Sequence, residues 1–185
     1  SPVMPRLPLT ALSFERDDPL IDALLEDAAR ALEAQGLRVS GVIQRRGNGG
    51  QNGGDGECHC AATDLVVLGS GAVFHISQPL GDGARGCRLD PGALAQCCRH
   101  LEAEVAEGCD VLVLNRFGKA EAEGRGFRDL IAMALERDIP VLAGVRNEYV
   151  EAWSGFGQEL ATVENVGREA LAAWLADLPA PQGTS

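Results

Sequence analysis

Four cationic side chains, Arg116, Lys119, Arg125 and Arg128, crowd into DVLVLNRFGKAEAEGRGFRD, residues 110–129 of a chain that is acidic overall. An arginine offers a planar donor fork and an asparagine an amide donor, while glycines leave backbone N–H groups bare. Asn115, Arg116, Gly118, Lys119 and Arg125 therefore form a donor set suited to a tetrahedral oxyanion. A second stretch, GDGARGCRLD (81–90), has the same chemistry. Gly81, Gly83 and Gly86 expose backbone, Arg85 and Arg88 supply charge, and a helix begins directly afterwards with its positive dipole end. The two loops are expected to converge on one anion, within a subunit or across the symmetric interface of a homo-oligomer. The competing reading makes these arginines surface partners of Glu121, Glu123 and Asp129, which is common and contributes little. That reading accounts for any single arginine better than for two such loops together.

Cys58, His59 and Cys60 form a compact group of soft ligands, which Cys87 or His75 would complete as a tetrahedral zinc site. Strong zinc signatures repeat a C-x-x-C pair, and this chain has one C-x-C, so a flexible loop with reduced thiols is the favoured reading. Cys97, Cys98 and Cys109 read as small core residues. Glu121 and Glu123 have the type of a general base, and Cys87 between Arg85 and Arg88 that of an activated thiol. Neither carries the base and orienting group that covalent catalysis needs, so no catalytic residue is assigned. His100, Trp153 and Trp174 read as structural.

The elements that must hold these loops follow from hydrophobic periodicity. VLVL, then a glycine-bearing loop, then a helix marked by Phe127, Leu130, Ile131, Ala134 and Leu135 is one strand-loop-helix step of an α/β sheet, whose ligands sit where strands end. Before it come a strand over 7–14, a helix opened by Asp18-Pro19 and stopped by Gly36, and a strand over 37–44. Residues 45–57 (RRGNGGQNGGDGE) read as a flexible Gly-rich loop. DLVVL and AVFHIS about Gly69-Ser70-Gly71 read as an antiparallel β-hairpin. A glycine loop over 79–92 leads into a helix over 91–107 capped by Asp90. After the central step come a strand over 139–145, a short helix over 148–156, a strand near 160–163 and a helix over 167–178. Residues 179–185 read as a disordered tail. The expected fold is a single α/β domain over 1–185, three-layered, with a mainly parallel sheet covered by helices on both faces.

The 185 residues, 45% hydrophobic and 23% charged, are globular in composition, and the formal net charge of −11 argues against a nucleic-acid or anionic-membrane partner. A local basic pocket for a small anion remains compatible with it. Six cysteines without the spacing of a disulfide framework fit a reducing compartment, and prolines interrupt the start where a signal peptide needs an apolar run. A cytoplasmic location without membrane insertion is expected.

The layout resembles the P-loop nucleoside-triphosphatase fold, in a form that carries an acidic pair and then Gly-Lys-x-Glu after the central strand. That place here reads Asn115-Arg116-Phe117-Gly118-Lys119-Ala120-Glu121. More specifically, ISQPLGDGARGCRLDPGAL (76–94), LNRFGKAEAEGRGFRD (114–129) and IPVLAGV (139–145) are similar to a bacterial family of unknown function whose genes often accompany molybdate transport. A working P-loop needs G-x-x-x-x-G-K-[ST] after the first strand, where backbone N–H groups and a lysine cradle phosphates and the hydroxyl holds magnesium. This chain has SFERDDPL there, a Walker A loop being absent, and Asn115 and Arg116 stand where magnesium-binding carboxylates belong. Magnesium-assisted hydrolysis of ATP or GTP is therefore not expected. The resemblance implies a binding, storage or sensing protein for molybdate or tungstate; chemistry alone allows phosphate or sulfate. The alternative is a nucleotide-binding or phosphotransfer enzyme. A third class is a regulatory partner of molybdenum-metabolism proteins with the anion as signal.

Overall fold

Six consecutive buried residues, Leu9–Phe14, make β1, a strand covered on both faces. The computed structural model describes residues 8–15, 20–46, 63–79 and 87–165, with helical backbone also at Glu169, Ala172 and Trp174. After β1 come α1 (Leu20–Ala34), β2 (Val39–Arg46), β3 (Thr63–Val67), β4 (Val73–Pro79), β5 (Cys87–Leu89), α2 (Pro91–Glu107) and β6 (Val111–Phe117). A helical turn α3 (Lys119–Ala122), α4 (Arg128–Glu136), β7 (Val141–Arg146), α5 (Val150–Gly157) and β8 (Ala161–Asn165) follow.

The eight strands form one sheet in the order β5-β4-β3-β2-β6-β7-β1-β8. The five strands β2, β6, β7, β1 and β8 run parallel. The other three extend the sheet antiparallel beyond β2. A mainly parallel, three-layer α/β sheet with an antiparallel hairpin is thus present. The hairpin gains a third strand, because Cys87–Leu89, expected within the glycine loop, pairs with Pro79, Gln78 and Ser77 of β4. β2 also runs on through Arg45 and Arg46, opposite Asp64 and Thr63, where the flexible loop was expected to begin. Residues 47–57, the tail over 179–185 and most of the last expected helix lie outside the described residues.

α1 has its apolar positions at helical spacing, and Ile21, Leu24, Leu25, Ala28, Ala29 and Leu32 are buried on one sheet face with Leu12, Phe14, Val113, Leu142 and Trp174. Each such leucine or isoleucine contributes about 1.5–3 kcal/mol. The opposite face is covered by Cys97, Leu101 and Val105 of α2, Leu130, Ile131 and Ala134 of α4, and Trp153 of α5. Asp90 caps α2 as the sequence implies, its Oδ1 accepting from Ala93 N–H at 3.0 Å. Gly41 is the one residue type possible where β2 crosses β6: its φ is 134°, and a Cβ there would collide with the Val113 carbonyl.

β4 runs in the direction of β2, since each is antiparallel to β3. The chain therefore leaves β1, β2, β4, β6, β7 and β8 at one edge of the sheet, the carboxyl ends of the parallel strands, where ligands of open α/β sheets sit. No helix among the described residues is long and apolar enough to cross a membrane.

Candidate functional site

The apolar run of β6 carries its burial one residue too far for an amide: Asn115 is only 3% exposed. Two irregularities meet there. β2 and β6 stop pairing after Val42 and Leu114, because β2 turns its last residues to β3 alone. On its other side β6 shifts register against β7 between Leu114 and Phe117, a bulge that holds Asn115 and Arg116. Bulges re-aim side chains, and the Arg116 guanidinium lies over the Phe14 ring at 5.8 Å from its centroid.

The gap between β2 and β6 is bridged by side chains. Asn115 Nδ2–H donates to Gln44 Oε1 at 3.2 Å, and the Gln44 backbone N–H donates to Asp22 Oδ1 at 3.1 Å. Asn115 Oδ1 is buried and has no hydrogen-bond partner among the described residues. Asp22 lies in the first turn of α1, half-buried, and burial raises its carboxyl pKa against the opposing pull of the Gln44 N–H and the Arg116 charge. Asp22, Gln44, Asn115, Arg116 and Phe14 thus gather at the carboxyl edge, at the crevice where β2 and β6 part.

The loop after β6 is built differently. Glu121, 7% exposed, accepts the Gly118 N–H at 2.8 Å on Oε1 and the Phe127 N–H at 2.9 Å on Oε2. Its main-chain oxygen accepts from Arg128 Nη1 at 3.1 Å, and the Arg128 guanidinium stacks over Phe156, 4.7 Å from the centroid. Gly126 has φ 64°, and a Cβ there would collide with Glu121 Oε2. Glu121, which by type could be a base, is a buried clamp that closes residues 118–127 upon themselves. Arg125 pairs with Glu123 on the surface, and Lys119 is exposed at the start of α3.

A family model described as protein of unknown function (DUF2478) matches residues 9–174. The chain belongs to this family. It is 37% identical over 169 residues to "Molybdenum import ATP-binding protein ModC 2" of Bradyrhizobium diazoefficiens. The match takes in 91% of this chain, which spans 18% of that relative's length. Among solved structures it is similar to "Solution Structure of a Human Cancer-Related Nucleoside Triphosphatase", with TM-score 0.62 and 19% identity over 91% of this chain and 94% of the other. That likeness establishes a nucleoside-triphosphatase-like fold.

On this fold, the DUF2478 chain brings Asn115 and Arg116 together in the crevice and places Gly118, Lys119 and Arg125 on the clamped loop beside it. The Gly118 N–H is engaged by Glu121. Arg88 and Cys87 lie on β5, four strand steps from β6, about 19 Å at the usual spacing. Gly83, Arg85, Gly86, Cys58, His59 and Cys60 lie outside the described residues, although the connections that carry them begin and end at the same carboxyl edge. His75 Nδ1 meets Asp64 Oδ1 at 2.6 Å. No group of three or more metal-ligating side chains occurs among the described residues. Burial pushes the thiol pKa of Cys97 up to about 12, and of Cys98 and Cys109 up to about 11, so these three remain thiols at neutral pH and are poor nucleophiles.

Sequence reasoning missed Asp22, Gln44 and Arg146. Asp22 and Gln44 enter the site only because β2 parts from β6. Arg146 had a signal: VLAGV is followed by Arg-Asn much as VLVL is followed by Asn-Arg. It ends β7, with its guanidinium 5.3 Å from the Tyr149 ring centroid and Nε 3.4 Å from Glu148.

Proposed function

We propose that this chain binds a small oxyanion, molybdate or tungstate, at the carboxyl edge of its sheet, in the cytoplasm, as a binding or sensing module of molybdenum transport. The observation that carries the reading is the pair Asn115–Arg116: a buried amide with a polar atom that has no partner among the described residues, beside a guanidinium, in the crevice where β2 and β6 part. The two amides are exchangeable end for end. If both rotate, Asn115 Oδ1 accepts from Gln44 Nε2 and Asn115 Nδ2 offers its N–H to an anion that reaches it beside Arg116. Exposed Lys119 adds charge nearby. The choice of molybdate and tungstate over phosphate and sulfate rests on the likeness to the 37% identical molybdenum import protein.

The test is calorimetric titration and a thermal-shift panel with molybdate, tungstate, phosphate and sulfate. Saturable binding of molybdate or tungstate, lost in Arg116→Ala, is expected. No response to either at millimolar concentration overturns the reading.

The second reading is a nucleotide-binding or phosphotransfer relative of the triphosphatases. It is supported by the triphosphatase-like fold and by the words "ATP-binding" in the relative's name. Magnesium-dependent turnover of a nucleotide, lost in Lys119→Ala, would favour it.

A further inference from the structure

We infer that Asp22 couples the two bindings in this crevice, so that the oxyanion drawn to Arg116 arrives together with one proton, held by Asp22. The inference rests on the oxyanion reading above and adds a residue and a regulation to it.

Asp22 is fixed by geometry. Its Oδ1 accepts the backbone N–H of Gln44 at 3.1 Å, the residue whose side-chain Oε1 takes the Asn115 amide at 3.2 Å. The carboxyl group, the Asn115 oxygen that has no partner among the described residues, and the Arg116 guanidinium therefore share one crevice. An oxyanion placed on Arg116 meets an ionised Asp22 as a like charge. Taking one proton from solvent removes that charge and converts Oδ2 from an acceptor into an O–H donor to the anion, while Oδ1 keeps the Gln44 N–H. No bond other than that O–H is formed.

Among the described residues, the other charged groups around Asp22 do not offer this exchange. Glu26, one turn further along α1, is held by Arg30 at 2.7 Å and by Arg45 of β2 at 2.9 Å. Glu15, after β1, accepts from Asn147 beyond β7 at 3.0 Å. Arg116 of β6 acts on Asp22 directly, and it is the partner the anion recruits. Burial already makes Asp22 readier than usual to hold a proton, and an anion that screens Arg116 weakens the main charge opposing this. Proton affinity therefore rises on anion binding, and by linkage anion affinity rises as pH falls.

The experiment is calorimetric titration of the full chain with sodium molybdate between about pH 5 and pH 8, in buffers of different ionisation enthalpy. Expected is an observed heat that varies with buffer enthalpy in the sense of proton uptake, by up to one proton per anion. Apparent affinity is expected to fall by as much as about tenfold per pH unit on going alkaline. In Asp22→Asn the buffer dependence and the pH dependence both vanish, and binding above neutrality becomes tighter than in the natural chain. Molybdate binding by the natural chain with no buffer dependence overturns this inference alone. An unchanged proton count in Asp22→Asn does the same. Absence of binding by molybdate and tungstate overturns it together with the function on which it rests.

Discussion

The two polar clusters after β6 sit within a few residues of each other, yet they are satisfied to different degrees. In the clamp, both Glu121 oxygens accept backbone N–H groups, and the main-chain oxygen takes Arg128. In the crevice, Asn115 makes one side-chain hydrogen bond and leaves Oδ1 unused among the described residues. A buried group with all its partners is a structural device, since removing it strands those partners; a buried group with an idle atom costs the fold unless a water, an ion or a ligand meets that atom. The difference separates the part of the motif that holds the loop from the part for which anion binding is proposed.

The comparison is most easily broken at Glu121. Glu121→Ala leaves two N–H groups without their acceptor at about 1–3 kcal/mol each, so a loss of about 2–6 kcal/mol in denaturant unfolding is expected; a loss below about 1 kcal/mol would dismiss the clamp. Gly126→Ala follows, because the left-handed backbone and the collision with Glu121 Oε2 both act, and about 2–4 kcal/mol is expected by the same measurement.

At the crevice the effects on stability shrink while those on binding grow. Asn115→Leu removes one hydrogen bond together with one unsatisfied acceptor, so its unfolding free energy is expected to stay within about 1 kcal/mol of the natural chain. Its thermal response to molybdate is expected to disappear; a variant destabilised as strongly as Glu121→Ala would place Asn115 with the clamp. The smallest effect concerns pH. Burial raises the folded pKa of Asp22 above its ordinary value of 3.8, so the folded state binds the proton more tightly than the unfolded one. The contribution of Asp22 to stability is then fully present below that value and is lost as pH rises from 3.8 through the raised folded pKa. Urea titrations across that window should show the fall in the natural chain and not in Asp22→Asn.

Much of the fold was legible in local pattern. The runs VLVL and VLAGV became buried strands, and Asp90 closed on Ala93 N–H as its place before Pro91 implies. β5 was not legible, since Cys87–Leu89 is a strand only by virtue of β4 alongside it. The bulge at Asn115–Arg116 was equally hidden, because it is a mismatch of count between β6 and β7 rather than a property of either.

The sequence by itself determined the chemistry available at the end of β6: an amide and a guanidinium, with glycines and a lysine behind them. Composition and spacing suffice for that, because charge and donor type belong to the residue. Only the tertiary structure decided which of those groups are engaged. Gly118 N–H is taken by a carboxylate three residues on, whereas Asn115 meets Gln44 across 71 residues of chain and Gln44 meets Asp22 across 22. Hydrogen bonds between groups so far apart follow from where β2 leaves β6, and that divergence is set by the packing of the whole sheet.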